Sequence, residues 1–120
     1  MGREKEYKDD YSLEVKGNAL DLIKRVNNLL EALQIDAVKV TSGWRPLAIN
    51  MRAGGAKRSL HMIGKAVDLA DNGPLKTKIL QNSHLLLDYG LWMEHQDSTP
   101  TWCHLDTGIR SSRLVRVFRP

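Results

Sequence analysis

Two histidines and an aspartate, set in two separated stretches, are the residues of this chain best suited to chemistry. His61 and Asp68 lie in Ser59-Leu60-His61-Met62-Ile63-Gly64-Lys65-Ala66-Val67-Asp68-Leu69. Gly64 reads as a turn and Ala66-Val67-Asp68-Leu69-Ala70 as a short strand. On that strand Ala66, Asp68 and Ala70 face one way, leaving room beside the carboxylate, while Val67 and Leu69 face a core. The second stretch is Thr101-Trp102-Cys103-His104-Leu105-Asp106-Thr107, with Trp102, His104 and Asp106 on one face and Cys103 and Leu105 on the other. If the two strands pair, Asp68 and His104 become cross-strand neighbours, roughly 5 Å apart at Cβ. His61, at the turn, reaches the same point. Two imidazoles and one carboxylate make a zinc site with an open fourth position, the layout of a hydrolytic rather than a structural zinc.

These motifs resemble a known family. Ser59-x-His61-x-x-Gly64-x-Ala66-x-Asp68, followed by Trp102-x-His104, is similar to the zinc D-alanyl-D-alanine peptidases of the M15 family. Upstream, Ser42-Gly43-Trp44-Arg45-Pro46 and Asn50 resemble that family's Ser-Gly-aromatic-Arg element. The resemblance covers roughly residues 38 to 120, with three separated motifs in the family's order. The His104-Leu105-Asp106-Thr107-Gly108 ending with downstream arginines is similar to the small single-domain members, several of them phage-encoded. The resemblance implies a hedgehog/DD-peptidase-like fold and one zinc ion on His61, Asp68 and His104. It implies peptidoglycan stem peptides as substrate, cut either as a D-Ala-D-Ala carboxypeptidase or as an L-Ala-D-Glu type endopeptidase or endolysin. Ser59 and Trp102 would then lie on the substrate side.

A zinc peptidase also needs a carboxylate that takes a proton from water and passes it to the leaving amine. Many M15 relatives carry it a few residues before the last histidine. Here the residue three before His104 is Thr101, which cannot do this. Glu94, at the end of an apolar strand, and Asp106, two residues beyond His104, are the two candidates. Glu94 suits the water, and Asp106 suits support of a metal ligand. His95 and Asp97, in the intervening turn, are candidates for orienting the transition state. Arg45, held extended by the following Pro46, suits a carboxylate or an oxyanion. The missing carboxylate at position 101 leaves a second reading open, a catalytically silent zinc module with a stability or partner-binding role. A third, metal-free reading would make both histidines core residues.

The elements that position these groups follow from periodicity. Ala19, Leu22, Ile23, Val26, Leu29, Leu30 and Leu33 predict a helix capped by Asn18, with Asp21 at the third position. Val38 to Thr41 predicts a strand, and residues 46 to 58, ending in Gly54-Gly55-Ala56-Lys57-Arg58, a loop or short helix at the cleft rim. Asp71-Asn72-Gly73-Pro74 opens a second helix through Leu75, Ile79, Leu80, Leu86 and Leu87, with His84 at its surface. Leu91 to Glu94 forms a strand, and the stretch around His104 returns antiparallel to it. Leu114 to Phe118 closes the sheet, with Arg110, Arg113, Arg116 and Arg119 along a basic edge. The sum is an α+β domain, a small antiparallel sheet with helices packed on one face.

Composition narrows the rest. At 120 residues the chain makes one domain, residues 1-120, of which 1-12 read as a charged, partly ordered arm. No run approaches the ~18 apolar residues of a membrane span, so membrane insertion is not expected. The start, Met1-Gly2-Arg3-Glu4-Lys5-Glu6, has no apolar segment after it. This predicts synthesis in a cytoplasm without a secretory signal and action at the cell wall or periplasm. One cysteine rules out an internal disulfide and a zinc ribbon; Cys103 reads as a core thiol. A net charge of +4 favours anionic partners such as wall polymers. Nucleic acid is not expected, because basic residues are not interleaved with stacking aromatics. The chain reads as a monomer.

Overall fold

The computed structural model describes residues 3–8, 10–55, 58–110 and 116–120. Its sheet has five strands in the order β1-β2-β4-β3-β5: β1 Val40–Ser42, β2 Ala66–Ala70, β3 Trp92–Glu94, β4 Trp102–Asp106 and β5 Val117–Phe118. The β2–β4 pair is the predicted antiparallel one, with Asp68 opposite His104 and Leu69 opposite Cys103. The β3–β4 hairpin also forms, with Trp92 opposite Asp106. The β5 strand differs from the sequence expectation, for it runs parallel to β3. β5 lies on the side of β3 away from β4, and a strand antiparallel to β4 is necessarily parallel to β3. Leu114 and Val115, expected to open that strand, lie outside the described residues, as do Arg113, Ala56 and Lys57.

The helices are α1 Arg3–Glu6, α2 Leu13–Ala32, α3 Leu47–Arg52, α4 Pro74–Gln81 and α5 His84–Asp88. The long helix α2 starts earlier than periodicity predicts. Ser12, not Asn18, caps it, the Ser12 hydroxyl accepting from the Val15 N–H at 3.1 Å. The polar run Lys16-Gly17-Asn18 hides the first turns, yet Val15 continues the buried stripe. Asn18 instead donates from Nδ2 to the Ile63 carbonyl at 2.9 Å and ties α2 to the turn that carries His61. Ile23 falls off the stripe and is exposed.

The second predicted helix is two, broken at Asn82-Ser83, where the Asn82 amide bonds back to the Lys78 carbonyl. Its start is stronger than Pro74 alone suggests. The buried Asp71 carboxylate accepts from the N–H groups of Gly73, Leu75 and Lys76, satisfying the orphan donors of the first turn of α4. Lys76 reaches back to Asp71 at 3.1 Å and to the Trp102 carbonyl at 2.7 Å. This buried pair locks α4 to the start of β4.

One sheet face is core and the other is site. Leu69, Met93, Cys103 and Leu105 turn inward against Leu22, Val26 and Leu29 of α2, Leu75 and Ile79 of α4 and Leu86 of α5. Burial pushes the Cys103 thiol up to about 12, so it stays protonated and unreactive. Asp68 and His104 alternate with these residues and project from the opposite face. Among the described residues no helix is long and apolar enough to cross a membrane.

Candidate metal centre and active site

His61 sits in a short 3₁₀ turn, Leu60–Ile63, between β1 and β2. Ser59 caps the turn, its Oγ accepting from the His61 N–H at 3.2 Å. Gly64 ends it at φ 76°, a left-handed conformation that glycine adopts without strain. It also packs against α2, where an added Cβ would lie 2.7 Å from the Val15 carbonyl oxygen. Turn and helix therefore fix His61 from both sides. His61 is 3% exposed, and its Nδ1 lies 2.8 Å from the Gly43 carbonyl. A carbonyl can only accept, so Nδ1 carries the proton and Nε2 keeps its lone pair. That Nε2 points at Asp68 Oδ2, 3.3 Å away.

The β2–β4 register brings the other two groups to the same place. Asp68 Oδ1 lies 2.9 Å from His104 Nδ1, and His104 Nε2 donates to Asp106 Oδ2 at 2.7 Å. The rings of His61 and His104 meet edge to face with centroids 5.4 Å apart. Donor atoms of His61, Asp68 and His104 all lie within 4.8 Å of one another, a group that could hold a metal ion. Each histidine has its remote nitrogen committed to an oxygen behind it, and the near nitrogen faces the shared point.

Charges in the cluster are strongly coupled. Burial alone would push the Asp68 carboxyl up, but the hydrogen bond from His104 and the close approach of His61 outweigh it and hold Asp68 well below the ordinary carboxylate range. Burial likewise opposes charge on His104, yet hydrogen bonds to Asp106 and Asp68 raise it to about 9. Asp106 is fully buried and lowered, burial being outweighed by His104 and Arg110. Its Oδ1 accepts from Gly108 N at 3.0 Å and Arg110 Nη1 at 2.6 Å. Its Oδ2 accepts from His104 Nε2 at 2.7 Å and Arg110 Nη2 at 3.1 Å.

Glu94 is half-buried at the end of β3. The β3–β4 register, continued by one residue, sets it opposite His104. Burial raises its carboxyl pKa, and the fields of His104, Asp68, Asp106 and His61 all reach it. Arg45 comes from the loop after β1. Its backbone N–H donates to the His61 carbonyl at 2.8 Å, and its Nη2 lies 3.4 Å from Ser59 Oγ. Burial lowers the Arg45 pKa, opposed by the neighbouring Asp68. The buried Arg45 Nε–H has no hydrogen-bond partner among the described residues. Trp102 is half-buried at the opposite end of β4 from Asp106, paired with Ala70. In the β3–β4 turn His95 accepts from the Asp97 N–H at 3.1 Å, and its other nitrogen lies 3.1 Å from Arg119. Thus Asp106 bonds directly to the cluster, Arg45 and Glu94 lie within its electrostatic reach, and Ser59 caps the His61 turn and touches Arg45.

Two participants escape sequence reasoning. Gly43 serves through its carbonyl, which no side-chain pattern announces. Arg110 reads as one more basic residue of an edge, whereas it grips Asp106 from four positions on. The spacing Asp106-x-Gly108-x-Arg110 is the signal that could have found it.

An α+β domain with two histidines and an aspartate converging on one face, flanked by a carboxylate and an arginine, has the make-up of a metal-dependent hydrolase. The chain belongs to the Peptidase M15 family, whose profile matches residues 6–106. It is by family a metallopeptidase, of a kind that is zinc-dependent and acts on peptidoglycan. No curated protein matches the sequence.

Proposed function

We propose that this protein hydrolyses a peptide bond of peptidoglycan stem peptides, with one zinc ion held by His61, Asp68 and His104. The carrying observation is the committed outer nitrogens. His61 Nδ1 is bonded to Gly43 and His104 Nε2 to Asp106, so both rings offer their remaining nitrogen beside Asp68. Two imidazoles and a carboxylate suit zinc, and three protein ligands leave a position for substrate. Bound there, zinc would supply Lewis acidity for a scissile carbonyl and for water.

The remaining work falls to the chain's own side chains. Glu94 takes a proton from the attacking water and delivers it to the leaving amine. Its raised pKa brings it closer to working pH than an ordinary carboxylate. Asp106 has both oxygens doubly occupied and no exposure, so it has no lone pair left for water. Of the two carboxylates the sequence leaves open, Glu94 is therefore the base and Asp106 the support of His104. Arg45 binds a substrate carboxylate or the developing oxyanion through its guanidinium, whose charge lies in the field of Asp68. Ser59 holds the Arg45 guanidinium, and Trp102 lines the substrate side. The site of action is the cell wall, as a carboxypeptidase trimming terminal D-alanine or as an endopeptidase of phage-endolysin type.

Mass spectrometry of stem peptides incubated with zinc-loaded protein tests this reading. Loss of a terminal D-alanine identifies a carboxypeptidase, and a cut at an internal bond such as L-Ala-D-Glu identifies an endopeptidase. Intact peptide in the presence of stoichiometric zinc would instead establish a silent zinc module.

A further inference from the structure

Arg110 takes no part in the reaction as described, yet it is built into the site. Its two terminal nitrogens grip both oxygens of Asp106, at 2.6 and 3.1 Å. The guanidinium lies 3.7 Å over the Phe118 ring and 5.4 Å from the centre of Trp92. Phe118 in turn meets the His104 ring edge to face at 5.9 Å. Gly108 permits this closure, because a Cβ there would press on Leu60, Arg110 and Asp106 at 2.8 to 3.2 Å. Strands β3, β4 and β5 thus contribute Trp92, Asp106 and Phe118 to a single cradle around one arginine.

The geometry explains why the cradle matters. A carboxylate held by one hydrogen bond rotates, and an imidazole bonded to it follows. A carboxylate gripped by a planar two-pronged donor does not, which a point charge such as lysine cannot reproduce. We propose that Arg110 is a positioning residue of the metal centre. Its fork fixes Asp106, Asp106 fixes His104 through Nε2, and His104 Nδ1 is thereby aimed at the point shared with His61 and Asp68. The inference rests on the reading of those three residues as metal ligands. An arginine that merely stabilised the fold would affect unfolding and leave metal affinity alone.

The test uses the full chain with Arg110→Ala, Arg110→Lys, Asp106→Asn and the Arg110→Ala/Asp106→Asn pair. Zinc affinity is measured by chelator competition, coordination by the visible spectrum of the cobalt-loaded protein, and stability by melting of the metal-free protein. Arg110→Ala should weaken zinc binding about 10- to 100-fold and alter the cobalt spectrum, as removal of a ligand's outer partner does. Arg110→Lys should recover part of the loss, and added guanidinium should recover part of it in Arg110→Ala. The double variant should bind no more weakly than Asp106→Asn alone, because both act through one carboxylate. Zinc affinity in Arg110→Lys and Arg110→Ala within twofold of wild type, with only melting changed, overturns the inference and leaves the metal centre intact. If Arg110→Ala does not fold, Arg110→Lys decides by the same criterion. A wild-type protein that binds no zinc overturns the metal centre itself, and this inference with it.

Discussion

At Glu94 and Asp106, two carboxylates beside one histidine are driven apart by their surroundings. Asp106 is saturated with donors and lowered, while Glu94 is half-buried and raised by desolvation. Environments that separate paired carboxylates in this way assign different roles to them. Glu94→Gln keeps the volume and removes the proton acceptor. It should lower kcat/KM by about 10²–10⁴-fold with zinc still bound at one per chain. Normal turnover in this variant, with Asp106→Asn inactive at full zinc occupancy, would reverse the two roles.

The element that sets the site is the turn between β1 and β2, held by Asn18 of α2 and closed by Gly64. The contrast between two glycines isolates its contribution. Gly64→Ala places a Cβ 2.7 Å from the Val15 carbonyl oxygen at φ 76°. Left-handed backbone alone costs an L-residue about 1–2 kcal/mol, and the steric contact adds to it. The variant should melt earlier and bind zinc more weakly, because His61 moves with the turn. Gly17→Ala, inside α2 with nothing within 4 Å of the added carbon, should stabilise by about 0.5–1 kcal/mol and leave zinc affinity unchanged. Equal thermal shifts in the two variants would refute the proposed coupling of turn and helix.

For the molecule as a whole, the cluster links stability and metal uptake to pH. The folded pKa of His104 is about 9, above its ordinary 6.5. The stabilisation from its imidazolium between Asp68 and Asp106 is therefore complete below pH 6.5 and lost as pH rises through 9. Asp68 and Asp106 are lowered, so their contribution is present above about 3.8 and lost as pH falls. Metal-free protein should accordingly melt progressively earlier from pH 6.5 to 9. Zinc affinity should move the opposite way over the same window, strengthening by roughly tenfold per pH unit as one proton is displaced from His104. A pH-independent zinc affinity between 6.5 and 8.5, measured by competition titration, would contradict the proton displacement.

The grouping of His61, Asp68 and His104 and the β2–β4 pair were legible in the sequence, because strand alternation encodes which side of a strand is buried. Val67, Leu69, Cys103 and Leu105 mark the core face, and Asp68 and His104 are left together on the other. The α+β class follows from the same periodicities, joined by the turn signals at Gly64 and Asp71-Asn72-Gly73-Pro74. Periodicity reports burial and not path, which is why the rest needed the tertiary structure. The two residues of β5 are too few to carry an alternation, and their direction depends on where the chain returns to the sheet. The first turns of α2 carry few apolar residues, and Ser12 shows itself as the cap only through its bond to Val15. Asp106 has the same residue type whether it faces water or is sealed by Arg110. Only the fold fills its oxygens with His104, Gly108 and Arg110, since desolvation and hydrogen-bond saturation are properties of a folded environment and of no residue taken alone.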